Sequence, residues 1–220
     1  MTDAVIFDVD GTLVDTNYLH AVTWWEAFRQ HGHAVDMAAV HRAIGMGSDK
    51  LLDHLLPDDR DRDGDDEMRA AHRTLYALYW TRLRAFDGAA GLLRACAARG
   101  LKVVLASSAD GEEMKVLLAA LDADDAIMAV TSSADAEQSK PAPDIVQVAL
   151  ERADVRAEQA IFVGDTVWDV RACRRAGLPC VAVLSGGVGA DELRAAGAIA
   201  IYDGTADLLA RFDDSPVAGR

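Results

Sequence analysis

Two carboxylates stand two residues apart near the start of the chain, at Asp8 and Asp10, directly after a short apolar run. In an extended segment, side chains two positions apart point to the same side, so this spacing predicts that the two acids lie together. Neighbouring carboxylates repel each other unless a cation lies between them or one of them is protonated. Both conditions suit Mg²⁺-assisted phosphoryl transfer. Gly11 permits a sharp turn after the acids, where successive backbone N–H groups can bind an anion.

A second acidic pair, Asp165 and Asp169, follows a later apolar run. The four-residue spacing at the start of a predicted helix places both carboxylates on one helix face. Oxygen ligands in this number suit Mg²⁺, which binds one or two carboxylates, several waters and a substrate phosphate. The four aspartates against the single charge of Lys140 leave a site charge of −3 without metal. We therefore expect no activity on anionic substrates unless a divalent cation is bound.

A lysine and a pair of serines can supply the positive charge and the donors that a phosphate needs. Lys140 lies in a loop between two predicted strands, which Pro141 and Pro143 stiffen. A lysine held in this way is a point charge for a phosphate or for a carboxylate nucleophile. Ser107 follows an apolar run and can donate its hydroxyl, while Ser108 can offer its backbone N–H near a helix N-terminus. Each feature alone is common in ordinary loops and caps, but together they are chemically coherent.

The elements that must position these residues alternate between strands and helices. Apolar runs without polar alternation are typical of strands that are buried on both faces. Such runs, separated by helical patterns, predict a Rossmann-like, doubly wound parallel α/β sheet. The predicted strands cover residues 4–7, 103–106, 127–130, 161–163, 181–184 and 199–202, and the predicted helices cover 89–99, 112–121, 143–153, 167–176 and 192–196. In such sheets, ligands bind beyond the carboxyl ends of the strands.

One segment interrupts this alternation. Between about residue 17 and residue 86 there is no strong strand pattern, and helices are predicted over 18–31, 37–56 and 66–83. We therefore expect an α-helical domain of residues 16–86 inserted into an α/β core domain of residues 1–15 and 87–220. The polar tail from Asp213 onward is expected to fray.

The composition is that of a globular protein with an acidic surface. The chain has 220 residues, 51% of them hydrophobic, and 22 basic against 36 acidic side chains give a formal charge of −14. This balance argues against a nucleic-acid partner, whose phosphates need clustered lysine and arginine. The sequence shows neither a membrane-spanning stretch nor a signal peptide, and its three cysteines resemble reduced core residues. We expect a cytoplasmic protein, monomeric or weakly dimeric, without a membrane partner.

The motifs resemble, in order and over nearly the whole chain, those of the haloacid dehalogenase superfamily. The helical insert resembles the cap of the branch that contains phosphoglycolate phosphatase and β-phosphoglucomutase. The residues that carry the resemblance are Asp8-Val9-Asp10-Gly11-Thr12, Ser107 after a strand, Lys140-Pro141 with Pro143-Asp144, and Gly164-Asp165 with Asp169.

The resemblance implies a role for each motif residue. Asp8 would be the nucleophile and form an aspartyl-phosphate, while Asp10 would protonate the leaving alcohol and then deprotonate the attacking water. Ser107 and the amide of Ser108 would hold the phosphoryl oxygens, and Lys140 would neutralise the nucleophile and the phosphate.

The resemblance also implies Mg²⁺ as cofactor. Asp8, the backbone carbonyl of Asp10 and Asp165 would bind the ion, with Asp169 orienting a metal-bound water or Lys140. A small phosphorylated metabolite is the expected substrate.

The residues favour a phosphatase within the superfamily. Asp10 supplies an acid that dehalogenases usually lack. A β-phosphoglucomutase-like sugar phosphomutase is the alternative, because His20 and the residues before it resemble the corresponding stretch of the mutases. However, the first loop of the cap, residues 45–50, has no arginine at the matching place, and the fourth motif begins with Gly164-Asp165, as in phosphatases.

The cap is expected to cover the strand ends and to select the substrate. Gly11, Ser108, His20 and Ser48 are the predicted substrate contacts, although His20 can equally be a histidine that only packs in a cap helix. The segments around residues 14–16 and 86–88 are expected to be hinges for closure. Further cap candidates, for which packing or a solvated face is the alternative, are Trp24, Arg42, Lys50, Arg73 and Tyr76.

Two other interpretations are weaker. A signalling receiver domain also clusters acids, a hydroxyl and a lysine, but it has no inserted helical domain and no use for Asp10. The segment 59–64 matches the opening of a calcium-binding EF-hand loop, but Ala70 stands where the closing glutamate belongs.

Overall fold

A computed structural model describes residues 2–219 and contains a six-stranded parallel sheet. The strands are β1 (Ala4–Phe7), β2 (Lys102–Ala106), β3 (Ala129–Thr131), β4 (Ala160–Gly164), β5 (Cys180–Val183) and β6 (Ala200–Tyr202). Their order in the sheet is β3-β2-β1-β4-β5-β6. The predicted strands are confirmed, although β3 begins later than the apolar run from residue 127 suggests.

Between β1 and β2, the chain forms a helical segment with its own core. Its helices are α1 (Asn17–Gln30), α2 (Met37–Ala43), α3 (Ser48–Leu55) and α4 (Asp65–Ala77). Trp24 and Phe28 of α1 pack with Leu51, Leu52 and Met68 in a buried cluster separate from those that flank the sheet. A cluster of this kind suits an inserted cap domain, and the boundaries 16–86 stay a prediction.

One predicted helix is divided in two. The pattern predicts a single helix over 37–56, and this is wrong, because α2 ends at Ala43 and α3 begins at Ser48. Gly45, between them, has a φ of 97°, which residues with a side chain rarely adopt. A Cβ at this position would lie 2.7 Å from Oγ1 of Thr166 in the sheet domain. Contact with the rest of the protein therefore breaks the helix.

Helices cover both faces of the sheet. On one face lie α5 (Ala89–Ala98), α6 (Gly111–Leu121) and α10 (Thr205–Ala210), and on the other lie α7 (Asp144–Ala153), α8 (Val167–Ala176) and α9 (Ala190–Ala196). Val5 and Phe7 of β1 point into the first apolar layer, whereas Ala4 and Ile6 point into the second. A strand covered on both faces is apolar at every position, which explains the missing alternation. The doubly wound α/β fold is confirmed.

The C-terminal region differs from expectation in two respects. Helix α10 lies in a part of the sequence where no helix is predicted. The tail does not fray as expected, since Ser215, Val217 and Ala218 are buried. Val217 and Ala218 belong to the apolar layer that contains α5 and α6. Burial of these two side chains offsets the entropy of ordering the tail.

Two segments connect the helical segment to the sheet, and they run side by side. Val14 and Ala85 form an antiparallel bridge. The N–H of Asp15 donates to the carbonyl of Arg84 at 3.0 Å, and the N–H of Phe86 donates to Leu13 at 2.9 Å. Their role as hinges stays a prediction. Within residues 2–219, no helix combines the length and apolar character needed to cross a membrane.

Candidate active site

The carboxyl ends of three neighbouring strands bring predicted site residues together. Asp8 follows β1, Ser107 follows β2 and Asp165 follows β4, and β1 pairs in parallel with both neighbours. All three side chains are buried. The sheet grows from β1 through β2 to β3 on one side and from β4 to β6 on the other, so the strand order reverses between β1 and β4. A crevice forms outside the strand ends at such a point. These residues therefore occupy the position where this fold binds ligands.

Lys140 is a fixed positive charge at the centre of the site. Its Nζ lies 2.5 Å from Oδ1 of Asp8 and 2.7 Å from Oδ1 of Asp169. The lysine is only 2% exposed. Burial alone would lower the pKa of Lys140, but the charges of Asp169 and Asp8 outweigh burial and raise it above its ordinary value. The ammonium group therefore stays charged and holds the nucleophile candidate in place.

The second acidic pair is held by hydrogen bonds from several directions. The hydroxyl of Thr12 donates to Asp165 at 2.8 Å, and Nδ2 of Asn17 donates to the same carboxylate at 2.7 Å. Asp169 lies in the first turn of α8 and accepts from both the backbone N–H and the hydroxyl of Thr166. These contacts orient both carboxylates toward Asp8.

The three buried acids form a set that fits a divalent cation. Ligand atoms of Asp8, Asp165 and Asp169 all lie within 4.8 Å of one another. Against the single charge of Lys140, they leave two negative charges. Burial and the neighbouring carboxylates raise the pKa of Asp165 well above its ordinary value, and that of Asp8 to about 7 despite Lys140. Within the described part of the chain, the buried Oδ1 of Asn17 has no hydrogen-bond partner. Carboxylate oxygens are the ligands that Mg²⁺ prefers.

The carboxylate of Asp10 makes its contacts elsewhere. It accepts from the hydroxyls of Thr16 at 2.8 Å and Ser107 at 3.1 Å, and His20 Nε2 lies 3.4 Å from it. Burial would raise the pKa of Asp10, but the hydrogen bonds from His20, Thr16 and Ser107 lower it below its ordinary value. Asp10 is thus separate from the three acids above, and its predicted metal contact, through its backbone carbonyl, stays a prediction.

The remaining predicted substrate contacts lie in different environments. Gly11 has a φ of 75°, and its carbonyl accepts from the hydroxyl of Ser185 at 2.6 Å. Ser108 is half-buried in the loop before α6. Ser48 is exposed at the first residue of α3. Their roles toward a substrate stay predictions.

The aromatic cap candidates are buried, whereas the basic ones lie near the surface. The ring of Tyr76 stacks on His20 with centroids 4.0 Å apart, and Trp24 stacks on His72 at 4.1 Å. Packing in the cap therefore accounts for Trp24. Arg42 and Arg73 are exposed, and Arg42 lies near Glu192. Lys50 is partly exposed and lies near Asp49.

Sequence reasoning missed the side chains that hold the acids. Thr12 and Asn17 bind Asp165, and Thr16 binds Asp10. Threonines and asparagines close to a helix start look like ordinary helix caps, so their types alone did not indicate these contacts.

Glu113 of α6 was also missed. Its Oε1 lies 3.5 Å from His20 Nε2, and burial raises the pKa of Glu113 to about 7. An acid in the first turn of a helix is usually a solvated residue that interacts with the helix dipole. The available signal was its spacing, because Glu113 stands four and eight residues before the buried Leu117 and Leu121.

Comparison with known proteins identifies the family. A family model described as haloacid dehalogenase-like hydrolase matches residues 2–177. The chain belongs to this hydrolase family. The resemblance carried by the four motifs is thereby confirmed, and the protein is an enzyme.

Relatives within this family are similar over most of their length. A phosphoglycolate phosphatase from Rhodospirillum rubrum is 31% identical, over 94% of this chain and 90% of that protein. The structure of a hydrolase from Pseudomonas syringae has a TM-score of 0.92 at 30% identity, covering 97% of this chain and 99% of that one. A β-phosphoglucomutase from Clostridium difficile shares the fold, with a TM-score of 0.81 at 21% identity, covering 93% of this chain and 92% of that one.

Proposed function

We propose that the protein is a Mg²⁺-dependent phosphatase, which hydrolyses a small phosphate monoester through an aspartyl-phosphate. The observation that carries the proposal is the Asp8 carboxylate at the end of β1, in contact with the buried ammonium of Lys140. The similarity to a phosphoglycolate phosphatase supports a phosphate monoester as the substrate class.

In the first step, a carboxylate oxygen of Asp8 attacks phosphorus, and the bond between phosphorus and the leaving oxygen breaks. Asp10 gives its proton to that oxygen, so the alcohol leaves uncharged. Hydrogen bonds from Thr16 and Ser107 orient Asp10 for this transfer. The negative charge of the arriving phosphate favours the protonated form of Asp10, because like charges disfavour ionisation.

In the second step, water attacks phosphorus and the bond to Asp8 breaks, which releases inorganic phosphate. Asp10, now a carboxylate, accepts the proton of that water. Its hydrogen bonds favour the charged form, which suits this basic role. Lys140 stays charged throughout and stabilises the negative charge on Asp8 and on the phosphoryl oxygens.

Mg²⁺ would be held by Asp8, Asp165 and Asp169, together with the backbone carbonyl of Asp10. When bound, the ion neutralises these acids and acts as a Lewis acid toward the phosphate. The backbone amide of Ser108 is the donor proposed for a phosphoryl oxygen. The hydroxyl of Ser107 donates to Asp10 and would have to turn toward the phosphate, and the amide of Gly11 donates to the carbonyl of Val14 instead.

The test is phosphate release from p-nitrophenyl phosphate, with and without EDTA. Asp8→Asn should abolish release, and EDTA should abolish it in the wild type until excess Mg²⁺ is added. Asp124→Asn, at an exposed position, is the matched control and should keep wild-type activity. Acid-quenched enzyme should carry a hydroxylamine-labile phosphate label that Asp8→Asn lacks. If Asp8→Asn retained most of the wild-type rate, the covalent mechanism would be wrong.

The phosphomutase alternative has less support. A mutase must bind a second phosphate within its cap, but Arg42 lies exposed beside Glu192 and Lys50 lies beside Asp49. NMR of β-glucose 1-phosphate with a bisphosphate primer distinguishes the two activities. Formation of glucose 6-phosphate faster than release of inorganic phosphate would favour the mutase.

A further inference from the structure

A group of polar side chains surrounds Asp10 on the side where its own carboxylate points. His20 of α1 lies 3.4 Å from Asp10 and 3.5 Å from Glu113 of α6, and its ring stacks on Tyr76 of α4. We name Glu113, Tyr76 and His20 the leaving-group cluster. Since Asp10 delivers the proton to the leaving oxygen in the proposed function, the alcohol part of a substrate must lie against this cluster.

The hydroxyl of Tyr76 is available to a ligand. Tyr76 is only 1% exposed, and its hydroxyl has no hydrogen-bond partner among residues 2–219. Burial foremost, and then the charges of Asp10 and Glu113, raise the pKa of Tyr76 above its ordinary value, so the hydroxyl keeps its proton. Buried hydroxyls are nearly always paired, so this one indicates a missing partner at the cluster.

The cluster carries no surplus of positive charge. Within the part of the chain that the structure describes, the side chains in contact with His20 and Glu113 include Asp10, His72 and Tyr76, none of them lysine or arginine. Burial foremost lowers the pKa of His72 well below its ordinary value, and the nearby Arg73 is exposed on α4. His20 supplies at most one positive charge and already contacts both Asp10 and Glu113. The fixed cation Lys140 is engaged by Asp8 and Asp169 instead.

We propose that the leaving-group cluster binds an uncharged, hydroxyl-bearing alcohol, so that the substrate is the phosphate monoester of a polyol and not of a hydroxy acid. Glu113 accepts a hydrogen bond from a substrate hydroxyl, and the hydroxyl of Tyr76 provides a second hydrogen bond. A carboxylate in the same place would meet the negative charge of Glu113 without a basic residue to bind it. This inference rests on the proposed function. It separates the protein from relatives named for phosphoglycolate, whose leaving group is an anion.

The test compares two phosphate monoesters that differ only at the end of the molecule that would contact the leaving-group cluster. Glycerol 3-phosphate and 3-phosphoglycerate have the same carbon chain, with a terminal hydroxymethyl in the first and a carboxylate in the second. At pH 8 and with Mg²⁺, kcat/KM should be about tenfold or more higher for glycerol 3-phosphate. Where turnover is slow, the two compounds are compared as competitive inhibitors of p-nitrophenyl phosphate hydrolysis.

Two variants assign the preference to the cluster. Glu113→Gln keeps the shape and removes the charge, so the ratio between the two substrates should fall by about fivefold or more. Glu112→Gln, which removes an exposed acid from the same helix turn, is the matched control and should leave the ratio unchanged.

Tyr76→Phe should lower kcat/KM for glycerol 3-phosphate by about three- to tenfold, the effect of one hydrogen bond. Its thermal stability should not fall, because the deleted hydroxyl has no partner within the described chain. A lower melting temperature together with unchanged substrate preference would show that Tyr76 only packs.

The outcomes separate this inference from the function on which it rests. A wild type that prefers 3-phosphoglycerate, or a ratio that Glu113→Gln leaves unchanged, overturns the inference while p-nitrophenyl phosphate is still hydrolysed. Failure to hydrolyse any monoester with Mg²⁺ overturns both. A preference for glycerol 3-phosphate that only Glu113→Gln and Tyr76→Phe weaken supports the inference.

Discussion

Replacing Lys140 with methionine tests whether a buried charge balance holds the site together. Methionine keeps most of the volume of the lysine stem but removes its charge. In the wild type, the ammonium lies between Asp8 and Asp169. In the variant, those two acids and Asp165 would face one another without a protein cation. We expect Lys140→Met to lose phosphatase activity by about 100-fold or more, and to be less stable.

The size of the destabilisation follows from the two contacts. At separations of 2.5 and 2.7 Å, and an effective dielectric constant of about 20, each attraction contributes about 6 kcal/mol. Removing the ammonium and three carboxylates from water costs several kcal/mol for each group, which offsets most of this gain. Breaking such a buried pair from one side typically destabilises a protein by about 3–5 kcal/mol. That is a large part of the about 5–15 kcal/mol that holds a domain folded.

The loss should depend on magnesium. Without the lysine, a divalent cation neutralises more uncompensated charge, so Mg²⁺ should bind the variant more tightly than the wild type. A ligand at 100 times its Kd stabilises the folded state by about 2.7 kcal/mol. Urea unfolding followed by tryptophan fluorescence, in EDTA and in Mg²⁺, should therefore show a larger Mg²⁺-dependent shift for Lys140→Met.

Lys102→Met is the matched control. Nζ of Lys102 donates to the carbonyl of Ala153 at 2.6 Å, at the first residue of β2, which is the end of the strand opposite to the site. Losing this contact should cost about 1–2 kcal/mol, equally with and without Mg²⁺. Equal destabilisation by the two substitutions, or a smaller Mg²⁺-dependent shift in Lys140→Met, would refute the argument from charge.

Two further predictions concern single contacts. A Cβ at Gly186 would lie 1.7 Å from Oδ2 of Asp165, so Gly186→Ala should displace this acid and reduce the Mg²⁺-dependent shift in unfolding. Gly189→Ala, whose Cβ has room, should retain the shift. Hydrogen bonds from Arg60 hold the pKa of Asp65 in the folded protein below its ordinary value of 3.8. The ionised acid therefore stabilises the folded state above pH 3.8, and this stabilisation is lost as the pH falls through the folded-state pKa. Asp65→Asn should therefore cost about 1–3 kcal/mol in urea unfolding at pH 7 and less at pH 3. An equal cost at both pH values would contradict this.

Much of the fold follows from local patterns, because a strand covered on both faces must be apolar throughout. The errors arise where distant contacts decide. Gly45 and Gly47 lie between α2 and α3, where the predicted long helix is interrupted. A Cβ at Gly47 would lie 2.1 Å from Cβ of Ser139, a residue far along the chain. Val217 is buried in the apolar layer that contains α5 and α6, although it lies in a short C-terminal segment with no helical or strand periodicity. Neither contact leaves a local pattern.

The site divides in the same way. The acids, the serine and the lysine could be located because strand ends in a parallel sheet meet at one edge, which places Asp8, Ser107 and Asp165 together. Residues that reach the site only because another helix packs against their own could not be located from the sequence. Glu113 resembles its exposed neighbour Glu112 in type. Its spacing from the buried Leu117 and Leu121 indicates an inward position, but only the three-dimensional structure shows that it contacts His20.

The charges of the site, taken by location, constrain the orientation of a substrate. Asp8, Asp165 and Asp169 against Lys140 leave two negative charges, which one divalent cation would cancel. On the other side of the site, Asp10 is protonated before it donates to the leaving oxygen, and Glu113 against a charged His20 leaves no surplus positive charge. No metal is proposed there. A phosphate is therefore favoured only on the side of Asp8, and the cluster favours an uncharged group at the other end of the substrate. The net charge of −14 does not reveal this difference between the two sides of the site, because the difference depends on which acids share a cation.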